Sequence, residues 1–414
     1  MYPSQFLQAA LILSVFMPVA FAGTIHVPSD QPTVQAGINA ASNGDVVLVS
    51  PGRYKENINF LGKDITVKSS NGRKVTILDG SQKGPVVTFD SKETRKAVLK
   101  GFTITNGYAG PGGFGSGGGI LITSGGTSPS IIGNTITANS SCDPGGGIYL
   151  IASAALIKGN TISKNFQQGC VGGEGAGIMV ENGEDGLEII GNKIISNIWG
   201  SGDGGGMYIN AFGSTLIQNN VVANNTATGV FPAAHGGGIY INAGANVSLV
   251  QNLVYGNTAD QGGGVYLAVQ GGTTEILVNN TFANNISSQA GSAIYITGLT
   301  SNAQLFNNLL IASSGENSVF CDNMFTQVSP FFEANDAFSA GGTDYLGNCV
   351  GQTGQNSNIS ANPMFLKKSN FRLQTGSPAI NAGFNSAPDL PSKDLANKPR
   401  IVHETIDIGA YEYQ

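Results

Sequence analysis

The chain has 414 residues, 41% hydrophobic and only 11% charged, the opposite of a disordered composition, so a folded body is expected. Its 60 glycines follow no every-third-residue pattern, which excludes collagen, and a formal net charge of −6 argues against nucleic acid as a partner. Gly at this level, beside abundant Asn, Ser and Thr, suits many short strands joined by tight turns.

Residues 1–22 read as a secretory signal peptide: an apolar stretch from Ala9 to Phe21 ends in the small-x-small pattern Ala20-Phe21-Ala22. The first eight residues lack Lys and Arg, and the stretch falls short of the roughly 20 apolar residues that a spanning helix needs. No later segment has membrane-spanning character, so a secreted, extracellular protein is expected. Residues 23–107 read as an N-terminal cap and first coils. IHVPS is a strand, Thr33 to Ala41 a capping helix opened near Pro32, and DVVLVSPG, ITVKSS, VTILDG, VVTFD and GFTITNG are further strands.

Regular coils are expected over 108–310. One pattern reads GGGILI, GGGIYL, GAGIMV, GGGMYI, GGGIYI, GGGVYL and GSAIYI, with anchors Ile120, Ile148, Ile178, Met207, Ile239, Val265 and Ile294 spaced by 26 to 32 residues. A second pattern places Asn134, Asn160, Asn192, Asn220, Asn252, Asn280 and Asn308 once per repeat, and another Asn follows five residues later at 139, 165, 197, 225, 257 and 285. That period, with apolar tripeptides and polar turns, predicts one solenoid coil per repeat. The fold class is therefore all-β, a right-handed parallel β-helix with an N-terminal capping helix. Stacked parallel strands lie about 4.8 Å apart, so the Asn residues line up in ladders that hydrogen-bond along the stack and take the left-handed backbone of a tight corner.

Three features bear on function. Tyr149, Tyr208, Tyr240, Tyr266 and Tyr295 occupy the outward position after each anchor, interrupted by Met179. They either offer aromatic area to sugar rings or stabilise the sheet by neighbour packing. Glu174, Asp203 and His235, followed by Gln261, sit four residues before consecutive anchors, with Asp260 one place off. Such a column suits acid–base work or a hard cation such as calcium; its plainer reading is a set of solvated loop residues. No Lys or Arg occurs between Lys193 and Lys367.

The four cysteines suit an oxidising compartment, and neither CxxC spacing nor a neighbouring His points to a metal. Cys142 and Cys170 are 28 residues apart, as are Cys321 and Cys349, and these two disulfides are expected. Residues 311–414 read as C-terminal coils interrupted by a long polar excursion between Cys321 and Cys349, resuming at FRLQTG and closing in an end cap.

The opening TIHVPSDQPTVQAGINAASNGDVVLVSPGRYKENI resembles the cap and first coil of secreted bacterial right-handed β-helix proteins of the pectate-lyase-like superfamily. NPMF, GSPAINAG and IDIGAYEY are similar to the C-terminal region called choice-of-anchor Q, although the anchor that often follows is not expected after Gln414. The resemblance implies a polysaccharide or cell-surface glycan as partner. Gly52, Tyr54 and Glu56 match the GxYxE that opens pectin methylesterases; that family's later motifs are missing, and these residues read as a structural turn. Polygalacturonase GHG and paired-Asp motifs and the epimerase DPHD are also missing. Lyases of the superfamily use Lys or Arg as base with calcium, which here leaves Lys158, Lys164 and Lys193, on the side away from the tyrosines. Two readings stay open: a monomeric extracellular protein that binds and processes a polysaccharide, by hydrolysis rather than elimination, and a non-catalytic surface or matrix adhesin.

Overall fold

The computed structural model describes residues 22–110, 116–168, 174–229, 233–244, 246–269, 273–298, 302–322 and 330–414. The expected signal peptide, apart from Ala22, and Cys170 lie outside these residues. Among the described residues no helix is long and apolar enough to cross a membrane.

The chain opens with strand Thr24–Val27 and helix Val34–Ala40. Thr33 caps the helix, its Oγ1 accepting the Ala36 N–H at 3.0 Å. The first coil holds both helix ends. Glu56 accepts the Val34 and Gln35 N–H groups, each at 3.0 Å, and Lys63 Nζ donates to the Ile38, Asn39 and Ala41 carbonyls, each at 2.8 Å. A carboxylate at the amino end and an ammonium at the carboxyl end complement the helix dipole. Tyr54 Oη donates to the Ser50 carbonyl at 3.0 Å, so the GRYKE segment serves as a structural latch.

From there the chain winds as an all-β parallel solenoid. Each coil contributes strands to three stacked sheets. The entry sheet runs from Thr24–Val27 to Phe331–Glu333, the tyrosine sheet from Ile58–Asn59 to Tyr345–Gly347, and the corner sheet collects the strands that follow each Asn. Alternation drives the anchors inward: Ile148, Leu150, Ile157 and Ile162 of a single coil are each fully buried. The same positions of the neighbouring coils continue one core along the whole stack.

Both Asn ladders form, buried and continuous. Asn220 is typical: its Nδ2 donates to the Ile189 carbonyl at 2.8 Å and to Asn252 Oδ1 at 3.0 Å, while its Oδ1 accepts the Asn192 N–H at 2.9 Å and Asn192 Nδ2 at 3.0 Å. One expectation is corrected. The left-handed residue is the one before each ladder Asn: Gly133, Gly159, Gly191, Asn219, Gln251, Asn279 and Asn307, with φ between 53° and 67°. The ladder Asn itself is freed to spend both ends of its amide on neighbouring coils. The first ladder also runs two steps further than the sequence reading, through Asn335 to Asn358.

The C-terminal quarter departs most from expectation. The excursion expected between Cys321 and Cys349 lies partly outside the described residues; from residue 330 onward the chain winds another coil, with strands Phe331–Glu333, Asp336–Phe338 and Tyr345–Gly347. The Cys321–Cys349 disulfide, Cα atoms 5.4 Å apart, staples that coil to the one before it. FRLQTG does not resume the solenoid. Asn370–Leu373 pairs antiparallel with Phe365–Lys367, and this hairpin returns along the flank rather than capping the end. Phe371, Leu373, Ala379 and Ile408 bury against Leu253, Ala283, Leu309 and Ile311 on the outside of the corner sheet. The corner residues fix this tail: Asn279 Nδ2 donates to the Asp407 and Gly409 carbonyls at 3.0 and 3.1 Å, and Asn307 exchanges two hydrogen bonds with Phe384.

Candidate functional site

Glu174, Asp203, His235 and Gln261 follow one another along the stack. Gly145 N donates to the Glu174 carbonyl at 3.1 Å, Gly175 N to Asp203 at 3.0 Å, Gly204 N to His235 at 2.9 Å and Gly236 N to Gln261 at 3.0 Å. The glycines make this spacing workable. Gly204 has φ +69°, and a Cβ there would lie 2.6 Å from the Met207 carbonyl oxygen and 2.7 Å from Tyr208 Cβ. The column therefore crosses to the tyrosine sheet over bare backbone.

Asp203 and His235 form a close pair. Asp203 Oδ1 accepts the His235 backbone N–H and meets His235 Nδ1, both at 2.8 Å. With Nδ1–H directed to the carboxylate, a neutral ring carries its lone pair on Nε2. The two side chains keep 19% and 23% of their surface for His235 and Asp203, enough to be reached from solvent. The His235 ring also lies 4.5 Å from Tyr266. Glu174, one coil from Asp203, is held above the ordinary carboxylate range, first by burial and then by the charges of Asp203 and Glu181. Asp260 is occupied elsewhere, accepting Ala234 N at 2.9 Å and Ser288 Oγ at 2.6 Å. Lys158 and Lys193 lie on the entry and corner sheets, and Lys164 on a corner, none on the tyrosine sheet.

The tyrosines stack on one another. Ring centroids are 4.6 Å apart for Tyr208–Tyr240, 5.1 Å for Tyr240–Tyr266 and 4.8 Å for Tyr266–Tyr295, with planes within 5° to 13° of parallel. Parallel strand register imposes this, since Tyr208, Tyr240, Tyr266 and Tyr295 are direct partners. The ring faces are consumed within the ladder, and hydroxyl edges are what the inner rings can present. Tyr295 is the exception to outward exposure: it is buried, covered by Phe320 at 4.8 Å, and its hydroxyl donates to Asp322 Oδ2 at 3.1 Å. Met179, in the same register, is buried too, and Tyr149 beyond it donates its hydroxyl to Glu181. Burial first, then nearby carboxylates, pushes the Tyr266 hydroxyl up to about 12; at Tyr208 the same causes also reach about 12.

Glu181 and Asp322 escaped the sequence reading. Each follows directly on the inward–outward–inward tripeptide of a tyrosine-sheet strand, Glu181 inside Ile178–Gly183 and Asp322 just after Val319–Cys321, so reading that position in every coil finds them. Among the described residues no three His, Cys, Asp or Glu side chains converge to hold a metal ion. Cys142 is disulfide-bonded; its expected partner Cys170 is outside the described residues.

No curated protein matches the sequence. Among solved structures, pectate lyase Pel9A is similar at 16% identity and a TM-score of 0.52, covering 96% of this chain and 98% of that one. That likeness concerns the fold alone. A pectin methylesterase mutant in complex with a hexasaccharide gives 9% identity and a TM-score of 0.24, covering 81% of this chain and 95% of that one, too low to support an argument. The family described as right handed beta helix region matches residues 63–274, just over half of the 414 residues. With its stacked parallel coils and that match, the chain belongs to the right-handed β-helix family.

Proposed function

We propose that this protein is exported, binds a polysaccharide along the open side of the tyrosine sheet, and hydrolyses it with the Glu174–Asp203–His235 column. The observation that carries the reading is the paired geometry of the column: Glu174, its carboxyl pushed up by burial and then by Asp203, lies one coil from Asp203, which orients the His235 imidazole one coil further on. Glu174 is the acid that protonates the leaving oxygen. Because Asp203 Oδ1 is committed to His235, the proton acceptor is His235 Nε2, which takes a proton from the attacking water while Asp203 fixes the ring. Tyr208, Tyr240 and Tyr266 contribute hydroxyl edges that hydrogen-bond sugar hydroxyls, Tyr149 lies at the far margin, and Tyr295 braces the stack. The fold shared with a pectate lyase favours a polysaccharide, as an analogy of architecture. Export rests on residues 1–22 and on the disulfides.

A screen of soluble polysaccharides for reducing-end release identifies the substrate. His235→Gln and Glu174→Gln should then each lower kcat by about 100-fold or more while thermal stability stays within a few degrees. Full activity in both variants would remove the column from the mechanism. The non-catalytic adhesin reading is favoured by the face-to-face ring stack, which is also what a purely structural ladder looks like; glycan binding without product formation would select it.

A further inference from the structure

The tail that lies on the corner sheet encloses a cavity of about 600 Å³ between its hairpin and the last residues of the chain. Leu366, Leu373 and Ala396 give it an apolar wall, Arg372 and Lys398 bring cations, and Asp394 and Glu412 bring carboxylates. Three of the four carboxylate oxygens are used. Asp394 Oδ1 accepts Lys398 N at 2.7 Å, Asp394 Oδ2 accepts Glu412 N at 3.1 Å, and Glu412 Oε2 accepts Asp407 N at 3.1 Å. Glu412 itself is only 4% exposed.

The lining selects the kind of partner. It holds as many cationic as carboxylate side chains, so the side chains set up no bias towards one sign of ion. Gln374 and Thr375 add an amide and a hydroxyl beside the apolar wall. Tyr413, whose hydroxyl hydrogen-bonds Thr375 Oγ1 at 2.6 Å, adds a ring edged by hydroxyls. A pyranose matches this mixture, since each hydroxyl both donates and accepts and its C–H face is apolar. A volume of about 600 Å³ is in the usual range for a small-molecule site. We propose that the tail cavity is a second carbohydrate site, taking a neutral mono- or disaccharide on a face of the solenoid other than the tyrosine sheet.

The test titrates the whole protein with methyl glucoside, methyl galactoside, cellobiose and maltose, and with galacturonate and glucosamine as charged controls, by saturation-transfer NMR and calorimetry. At least one neutral sugar should bind, and Ala396→Trp, which fills the cavity, should weaken it about tenfold or more. Lys398→Ala, a change at an exposed side chain, should weaken it about threefold or more and decides the matter if the Trp variant misfolds. His235→Gln, on the other face, should leave this binding unchanged. The proposal is overturned if no neutral sugar binds, if only a charged sugar binds, or if binding survives both cavity variants. Those failures leave the Glu174–Asp203–His235 reading untouched, because its variants and its polysaccharide assay address another face.

Discussion

Replacing Asn220 by Ala tests the ladder that joins the coils. The substitution deletes four side-chain hydrogen bonds: from Nδ2 to the Ile189 carbonyl and to Asn252 Oδ1, and from the Asn192 N–H and Nδ2 to Oδ1. Asn192 Nδ2 keeps its bond to the Ile157 carbonyl, and the Asn220 N–H keeps Asn252 Oδ1. The buried Asn192 N–H and Ile189 carbonyl lose these partners where water cannot replace them. At about 1–3 kcal/mol for each, with a further cavity contribution, the loss should be about 3–6 kcal/mol. Asn220→Asp should do no better, because a carboxylate cannot donate to Ile189 or to Asn252 Oδ1. Urea unfolding gives the measurement, followed by circular dichroism and by fluorescence of Trp199, the only tryptophan, which is fully buried in an adjoining strand. A loss below about 1 kcal/mol for Asn220→Ala would refute the account of the ladder as load carried by orphan-prone backbone groups.

Tyr240→Ala removes a ring stacked on both sides, which should cost about 2–4 kcal/mol in thermal or urea unfolding, while Tyr240→Phe should cost less than about 1 kcal/mol; equal effects would show that stacking is not what the ring supplies. Glu275 is buried in the entry sheet with its carboxyl pushed up to about 7, above the ordinary 4.5, by desolvation. It therefore binds its proton more tightly when folded. Its contribution is complete below pH 4.5 and is lost as pH rises through about 7, a loss of about 3 kcal/mol that Glu275→Gln should abolish in unfolding curves at pH 5 and pH 8. Cys349→Ser opens a loop 28 residues long and should lower stability by about 3.5 kcal/mol, read from reduced and oxidised wild-type protein alongside the variant.

The coil pitch, the inward anchors and both Asn ladders were legible because each is written once per repeat in side chains of one chemical type. The acid–His column was legible for the same reason, as a fixed offset from the anchors. Contacts made across the repeat were not. Whether tyrosines in one register turn their faces to solvent or to each other depends on rotamers, which spacing leaves undetermined. The coil that winds on from residue 330 was hidden because Ala334 replaces the Gly or Asn that usually precedes a ladder Asn, although its φ of 53° is the same. The return of residues 360–414 along the flank follows from Phe371, Leu373 and Ile408 meeting apolar groups on the outside of the corner sheet, positions an isolated coil would show to water. Its trace in the sequence is subtle: the corners are Gly at 133, 159 and 191 but Asn or Gln at 219, 251, 279 and 307, and the tail hydrogen-bonds the side chains of Asn279 and Asn307.

The ladder also has a polarity with consequences for how the molecule is made. In each coil the corner N–H is satisfied by the Asn of the following coil: Asn134 N by Asn160, Asn160 N by Asn192, and so on to Asn335 N by Asn358. A ribosome delivers the amino end first, so every newly wound coil presents an unmet amide until the next one arrives. Growth is a zipper whose advancing tip is always adhesive. Asn358 ends the series by turning its own N–H back to the Gln355 carbonyl at 2.8 Å. Chains truncated before that turn would carry an open tip and should recruit one another, whereas the completed chain retires it.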